Sequence, residues 1–212
     1  MASGFFLGIA GNIGAGKSTL TRILEENLRW RAYLEPTIEN PYLEKYYADP
    51  KAWAFHSQIY FLTRRYEALE QLGREERFYI VDRTIYEDGE IFATALHAQG
   101  LLSDVDHQMY QRLYAILTSH LKRPDMIVYL RASPEFLLER VRSRGRDYEK
   151  RIDRDYLARL GDAYDTWIER VARETHVVHV PAEEVDFLTN KTAWHWIAAA
   201  LPRSVRAPEA RT

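Results

Sequence analysis

Residues 11–18 read Gly-Asn-Ile-Gly-Ala-Gly-Lys-Ser. A glycine, four residues and then Gly-Lys-Ser is the pattern of a phosphate-binding loop. The flanking sequence has the order that such a loop needs. Phe5, Phe6, Leu7, Gly8, Ile9 and Ala10 form a short apolar run suited to a buried strand. Ser18, Thr19, Leu20, Ile23, Leu24 and Leu28 then recur at helical spacing. An ordinary glycine-rich turn between strand and helix needs neither the lysine nor the hydroxyl. Gly11, Gly14 and Gly16 leave room for backbone N–H groups to converge on phosphate oxygens. The helix that follows presents its positive dipole end to the same anion. The pattern predicts that Lys17 reaches the β- and γ-phosphates of a nucleotide and that Ser18 ligates Mg²⁺. Asn12, Ala15 and Thr19 complete the predicted ATP cradle.

The chain has 212 residues, a length that suits one α/β domain. Its 46% hydrophobic and 28% charged residues describe a soluble globular protein with ample core. A net charge of −2 gives no general electrostatic reason to bind nucleic acid or an anionic membrane, so neither is expected as a partner. There is no cysteine, which excludes disulfides and thiolate zinc sites and agrees with a reducing, cytoplasmic location. The N-terminus runs directly into the first apolar run, so no secretory signal is expected. No apolar stretch approaches the roughly 20 residues that span a bilayer.

Strand-like and helical patterns alternate along the chain. A helix from Lys17 to Arg29 leads to a short strand at Ala32 to Leu34, which ends at Glu35-Pro36. Pro36 excludes helix at Glu35 and cannot extend a sheet ladder, so Glu35 is a carboxylate at a strand's carboxyl edge. Asn40-Pro41 opens a helix with Pro41 in its first turn, and Asp49-Pro50 breaks it. A long helix from Lys51 to Leu72 carries Gln58 and Arg65 on one face. The next strand, Phe78 to Val81, ends at Asp82-Arg83. Helices follow at Ile85 to Gln99 and at Val105 to His120, the latter capped by Ser103 and Asp104. A strand at Met126 to Leu130 precedes a helix opened by Ser133-Pro134 and running into Arg140, Arg142, Arg144 and Arg146. A helix at Asp155 to Arg173, a strand at Val177 to Val180 and a helix at Lys191 to Leu201 complete the pattern. These elements predict one domain over residues 1–203 and a loose polar tail at 204–212. The expected fold is a three-layer α/β/α domain with a five-stranded parallel sheet.

In such a sheet the strands' carboxyl ends share one edge, where ligands bind. The phosphate loop, Glu35 and Asp82-Arg83 should therefore converge. A carboxylate facing an ATP γ-phosphate can accept a proton from an attacking hydroxyl or bind Mg²⁺, and Glu35 and Asp82 can divide these roles. Arg83 would hold Glu35 or neutralise charge on the transferring group. On spacing alone Glu35 reads equally as a solvated loop carboxylate, and Asp82-Arg83 as a strand-end salt bridge. Arg140 and Arg144 share a helical face, and Gly145 loosens the end of the run. Guanidinium groups at a mobile helix end suit a lid over phosphates. The seven histidines are scattered without metal-ligand spacing.

Together these residues resemble the deoxyribonucleoside kinase family, especially its short bacterial members acting on deoxyadenosine, deoxycytidine or deoxyguanosine. The resemblance runs from about Phe6 to Phe187. It implies a P-loop kinase fold with an Arg-rich lid at Arg140 to Glu149, and ATP and Mg²⁺ as donor and metal. Glu35-Pro36 matches the family's Glu-Pro, which implies that Glu35 is the base for the 5′-hydroxyl. Asn40-Pro41-Tyr42-Leu43 with Tyr46-Tyr47 is similar to the segment that places a tyrosine on the sugar 3′-hydroxyl, here Tyr47. Gln58 falls where the family hydrogen-bonds the base edge. Arg65 and Asp88 fall where base-selective members carry an arginine and an aspartate, which argues against thymidine. Asp82-Arg83-Thr84 matches the acidic-Arg-Ser/Thr motif. Arg140, Arg144 and Arg146 resemble the lid, Glu149 its sugar-facing glutamate, and Asp186-Phe187 the loop that senses adenine. Tyr86-Glu87-Asp88 looks most like members that prefer deoxyadenosine. The family also implies a homodimer through the helices at Ile85 to Gln99 and Val105 to His120.

The expected reaction is therefore ATP-dependent 5′-phosphorylation of a deoxyribonucleoside, with Lys17, Arg83 and the lid arginines stabilising the transferring charge. Two other classes share parts of the pattern. A nucleoside monophosphate kinase would need further basic groups for its acceptor phosphate. A non-catalytic nucleotide-binding module would need no sugar-binding tyrosine and glutamate.

Overall fold

The computed structural model describes residues 4–34, 40–75, 77–185 and 194–205. Five strands, β1 (Phe5–Gly11), β2 (Arg31–Tyr33), β3 (Phe78–Asp82), β4 (Met126–Arg131) and β5 (His176–Pro181), form one sheet in the order β2-β3-β1-β4-β5. All pairings are parallel. The most continuously apolar run, β1, is the central strand and is buried throughout. Its register sets Leu7 opposite Ile80 of β3 and Met126 of β4.

Alternate residues of β1 feed two cores, as expected when helices cover both faces of a parallel sheet. Phe5, Leu7 and Ile9 pack with α1 (Lys17–Leu28), α7 (Pro134–Arg144) and α9 (Trp194–Ala200). Phe6 and Ala10 pack with α3 (Pro50–Glu75), α4 (Ile85–Glu87), α5 (Ala93–Ala98), α6 (Asp104–Thr118) and α8 (Arg154–Val171). The short α2 (Leu43–Ala48) meets a 3₁₀ turn at Asp147–Arg151. This is the three-layer α/β/α architecture expected from the alternating pattern.

Three local expectations need correction. The stretch from Ile85 to Gln99 is not one regular helix. A π-helical turn, Asp88–Phe92, separates α4 from α5. The wide turn lets the Gly89 carbonyl accept from Gln111 Nε2 of α6 at 2.8 Å, and from Thr94 Oγ1 at 3.2 Å. Pro41 lies in a turn before α2 rather than in its first turn, because Asn40 Oδ1 accepts the Tyr42 N–H at 2.9 Å and defers the helix. Val205, placed in the tail by composition, is buried in the first core.

Candidate active site

The carboxyl ends of β1, β2 and β3 open into one crevice of ≈ 850 Å³. Gly14, Gly16, Lys17, Ser18 and Thr19 line one end of it; Arg140, Arg144, Arg146 and Glu149 come from α7 and the turn beyond. Tyr47, Gln58, Arg83 and Asp88 line the rest. Thirteen positions spread over the chain thus meet in one place. Gly11, Asn12, Ala15, Arg65 and Asp82 lie behind this lining. Glu35, Asp186 and Phe187 fall outside the described residues.

The loop conformation follows from its glycines. Gly16 caps α1 in the left-handed region with φ 96°. At Gly14, φ 86°, a Cβ would meet the Leu137 carbonyl oxygen of α7 at 2.9 Å. Lys17 Nζ donates to the Asn12 carbonyl at 2.9 Å. The Asn12 side chain turns away from the crevice, so a contact of Asn12 with ATP would fall to its backbone. Its Nδ2 donates to the Leu157 carbonyl of α8 at 2.8 Å, and its Oδ1 accepts the Ile13 N–H at 2.7 Å. It anchors the loop to the helix that follows the lid.

Beneath the loop, Ser18 Oγ donates to Asp82 Oδ2, and Asp82 is fully buried. A hydroxyl and a carboxylate at the phosphate end are hard oxygen donors. They fit Mg²⁺, which takes one or two protein ligands and fills its shell with phosphate oxygens and water. Next to Asp82, Arg83 takes φ 63°, unusual for a residue with a side chain. Its N–H donates to the Ile9 carbonyl at 3.0 Å, and its guanidinium lies 4.2 Å above the Phe92 ring.

The expected base-recognition pair is organised differently from two separate reading groups. Arg65 Nη1 lies 2.8 and 2.7 Å from the Asp88 oxygens, and its Nε donates to the Arg83 carbonyl at 3.1 Å. Asp88 reaches the crevice and Arg65 stands behind it. Two opposite charges this deeply buried pair with each other, because neither could be left uncompensated. In front of them, Gln58 Oε1 is buried and accepts no hydrogen bond among the described residues. A buried amide oxygen of this kind takes its donor from a ligand or a water in the crevice.

Beside the turn that follows α7, Tyr47 stacks on Tyr148 at 5.6 Å. Burial, with Tyr156, Tyr46 and Glu149 nearby, holds the Tyr47 hydroxyl well above its ordinary pKa, so it is a neutral donor. Glu149 accepts from Arg144 Nη2 at 2.6 Å, and Arg146 Nη1 lies at 3.5 Å. The chain closes this pair by turning through Gly145, φ 69°. Arg151 Nη1 ties the same turn to the Tyr47 and Ala48 carbonyls at 2.7 and 2.8 Å.

The sequence reading missed Phe61, Phe92, Tyr156 and Arg22, all of which line the crevice. Phe61 was within reach, since it lies one turn from Gln58 on the same helical face. Tyr156 had no local signal; it reaches the site only because α8 returns beneath the lid.

The fold and site can be set beside known proteins. The family model described as deoxynucleoside kinase matches residues 7–205. The chain is 40% identical over 177 residues to the deoxyadenosine kinase of Dictyostelium discoideum, covering 84% of this chain and 72% of that one. It is 35% identical over 187 residues to the deoxyadenosine/deoxycytidine kinase of Bacillus subtilis (strain 168), covering 87% and 86%. It also superimposes with a TM-score of 0.82 on the deoxyadenosine kinase from M. mycoides solved with the products dCMP and a flexible dCDP. That match has 31% identity and covers 93% of this chain and 100% of the other.

Proposed function

Since the chain belongs to the deoxynucleoside kinase family and phosphorylates deoxyribonucleosides with ATP as donor, we propose that deoxyadenosine is its favoured acceptor. Deoxycytidine or deoxyguanosine follows. The observation that carries this reading is the Asp88 carboxylate, braced by Arg65 and set beside the Gln58 amide in the crevice that also holds Lys17 and Ser18. An acceptor and an amide suit a base edge that presents an exocyclic amine. The acceptor end offers Tyr47, Gln58 and Glu149, groups suited to an uncharged nucleoside.

In this reading Glu35 accepts the proton of the 5′-hydroxyl as its oxygen bonds to the γ-phosphorus and the bond to the β-phosphate oxygen breaks, releasing ADP. Lys17, Arg83, Arg140, Arg144 and Arg146 stabilise the charge that spreads over the transferring group. Tyr47 and Glu149 hold the sugar 3′-hydroxyl, and Asp186 and Phe187 contact the adenine of ATP. Mg²⁺, held by Ser18 and Asp82, would neutralise charge on the β- and γ-phosphates.

The working unit in this proposal is a homodimer. On α6, Val105, Met109 and Ile116 are 74%, 56% and 59% exposed along one stripe, and a second copy of this face would cover them. The kinase domain reaches at least to the buried Val205, and the protein works in the cytoplasm. The lack of cysteine supports that location. No described helix is long and apolar enough to cross a membrane.

A panel assay with ATP and each deoxyribonucleoside, ribonucleoside and monophosphate tests the assignment. The highest kcat/KM is expected for deoxyadenosine. Faster turnover of a monophosphate, or of thymidine, would overturn the reading of the acceptor site.

A further inference from the structure

Glu87 is fully buried, and none of the roles above uses it. It lies on α4, one turn beyond Asp82-Arg83-Thr84. Its Oε2 accepts the Thr84 backbone N–H at 2.6 Å and the Thr84 hydroxyl at 3.2 Å. Its Oε1 accepts the Tyr164 hydroxyl of α8 at 2.9 Å. The arrangement is a capping box, since the Thr84 side chain also serves the Glu87 N–H. Yet a capping carboxylate can stay half in water, whereas Glu87 is buried completely, at a large desolvation cost.

The cost is explained by the residue before the cap. Arg83 is held in the left-handed region, which is strained for a residue with a side chain. Such a conformation persists only where its surroundings over-determine it. Here they do. The Arg83 carbonyl and the Thr84 N–H belong to one peptide group. Arg65 Nε donates to the first, and Glu87 accepts from the second. The peptide is therefore gripped on both edges, and each grip has its own brace: Asp88 behind Arg65, and Tyr164 behind Glu87. The Arg83 N–H is tied separately to β1 at Ile9. Lys17 and Arg83 supply positive charge toward the Glu87 carboxylate.

We propose that Glu87 is a positioning residue for phosphoryl transfer. With Arg65 it clamps the Arg83–Thr84 peptide and so aims the Arg83 guanidinium into the crevice. This rests on the role given to Arg83 above. The same peptide links base recognition to chemistry, because the Arg65 that grips it is also the partner of Asp88.

The test uses the full chain with MgATP and deoxyadenosine. Three variants are compared: Glu87→Ala, which removes the grip; Glu87→Gln, which keeps one oxygen for the Thr84 N–H; and Tyr164→Phe, which removes only the brace. For Glu87→Ala, kcat should fall about 100-fold, the size of effect expected when a charged group is displaced by an ångström. The nucleoside KM and the affinity for a non-hydrolysable ATP analogue should change less than about threefold, since the lost interaction acts in the transition state. Glu87→Gln should restore kcat to within about tenfold of wild type, because the hydrogen bond survives. A merely structural cap would lower the melting temperature and leave kcat of the folded protein unchanged, and that result overturns the proposal. If Glu87→Ala does not fold, Tyr164→Phe decides. A severalfold drop in kcat at constant KM supports the clamp, and an unaltered kcat rejects it. A wild-type protein inactive on every deoxyribonucleoside would sink the functional reading itself. An active wild type with indifferent variants sinks only the clamp.

Discussion

Arg65 and Asp88 meet in the interior, with Arg65 Nη1 2.8 and 2.7 Å from the two carboxylate oxygens. Their side chains are 1% and 3% exposed. One face of Asp88 reaches the acceptor end of the crevice, and Arg65 reaches the backbone of Arg83. A pair that could have been only a salt bridge therefore joins the crevice lining at Asp88 to the turn that carries Arg83.

Breaking this pair should be costly. Asp88→Ala leaves a buried guanidinium uncompensated and is expected to lose about 3–5 kcal/mol of stability. The double variant Arg65→Met/Asp88→Ala should recover much of that loss but little turnover, because the Arg83 carbonyl then lacks its donor. Urea unfolding beside kcat/KM on deoxyadenosine separates the two effects. A double variant as unstable as the single one would refute the pairing.

At the phosphate end, Ser18→Ala should raise the Mg²⁺ concentration for half-maximal rate by about tenfold or more. Lys17→Ala should cost about 3–4 kcal/mol of transition-state stabilisation. Chelation should stop turnover, and added Mg²⁺ should restore it. An unchanged Mg²⁺ titration for Ser18→Ala would remove that hydroxyl from the metal's shell.

Glu35→Gln should lower turnover by at least about 100-fold, the range typical of losing a general base. Binding of an ATP analogue, measured by calorimetry, should stay as in wild type. Near-normal turnover would assign the proton to another group.

The buried Glu87 predicts a pH signature. Burial raises its pKa above the ordinary 4.5 against the opposing pull of Arg83 and the Thr84 N–H. A carboxyl held above its unfolded value favours the fold while both states are protonated. That contribution fades as pH rises from 4.5 through the folded pKa, where the unfolded chain ionises first. The stability difference between wild type and Glu87→Gln should therefore move in favour of the glutamine as pH rises through this window. Denaturant midpoints at a series of pH values measure it, and a flat difference would contradict the sign.

Met109→Glu and Ile116→Glu place charges on the exposed stripe of α6. If a second copy covers that face, each variant should run as a monomer in size-exclusion chromatography with light scattering while the wild type runs as a dimer. A wild type that is monomeric at every concentration would discard the assembly.

Much of this site was legible along the chain because its signals are local. The phosphate loop is contiguous, from Gly11 to Ser18, and its flanks announce strand and helix. Asp82-Arg83 stands at the end of an apolar run, and the arginines of α7 crowd into one helix end. A parallel sheet then brings such strand ends together without further instruction. Departures occurred where a neighbour distant in sequence decided the outcome. The Asn12 side chain, in the middle of a contiguous loop, is held by the Leu157 carbonyl of α8. Asp88–Phe92 had the composition of an α-helix, but Gln111 and Tyr114 of α6 pack on Gly89 and accompany the wider turn.

The sequence by itself determined the sheet and the position of the phosphate loop, since backbone period and strand-end polarity are properties of neighbouring residues. Tertiary structure alone decided which charges pair. Arg65 with Asp88 and Glu87 with Tyr164 are choices made when water is excluded, because only then does each buried charge have to take the nearest complement that packing has delivered.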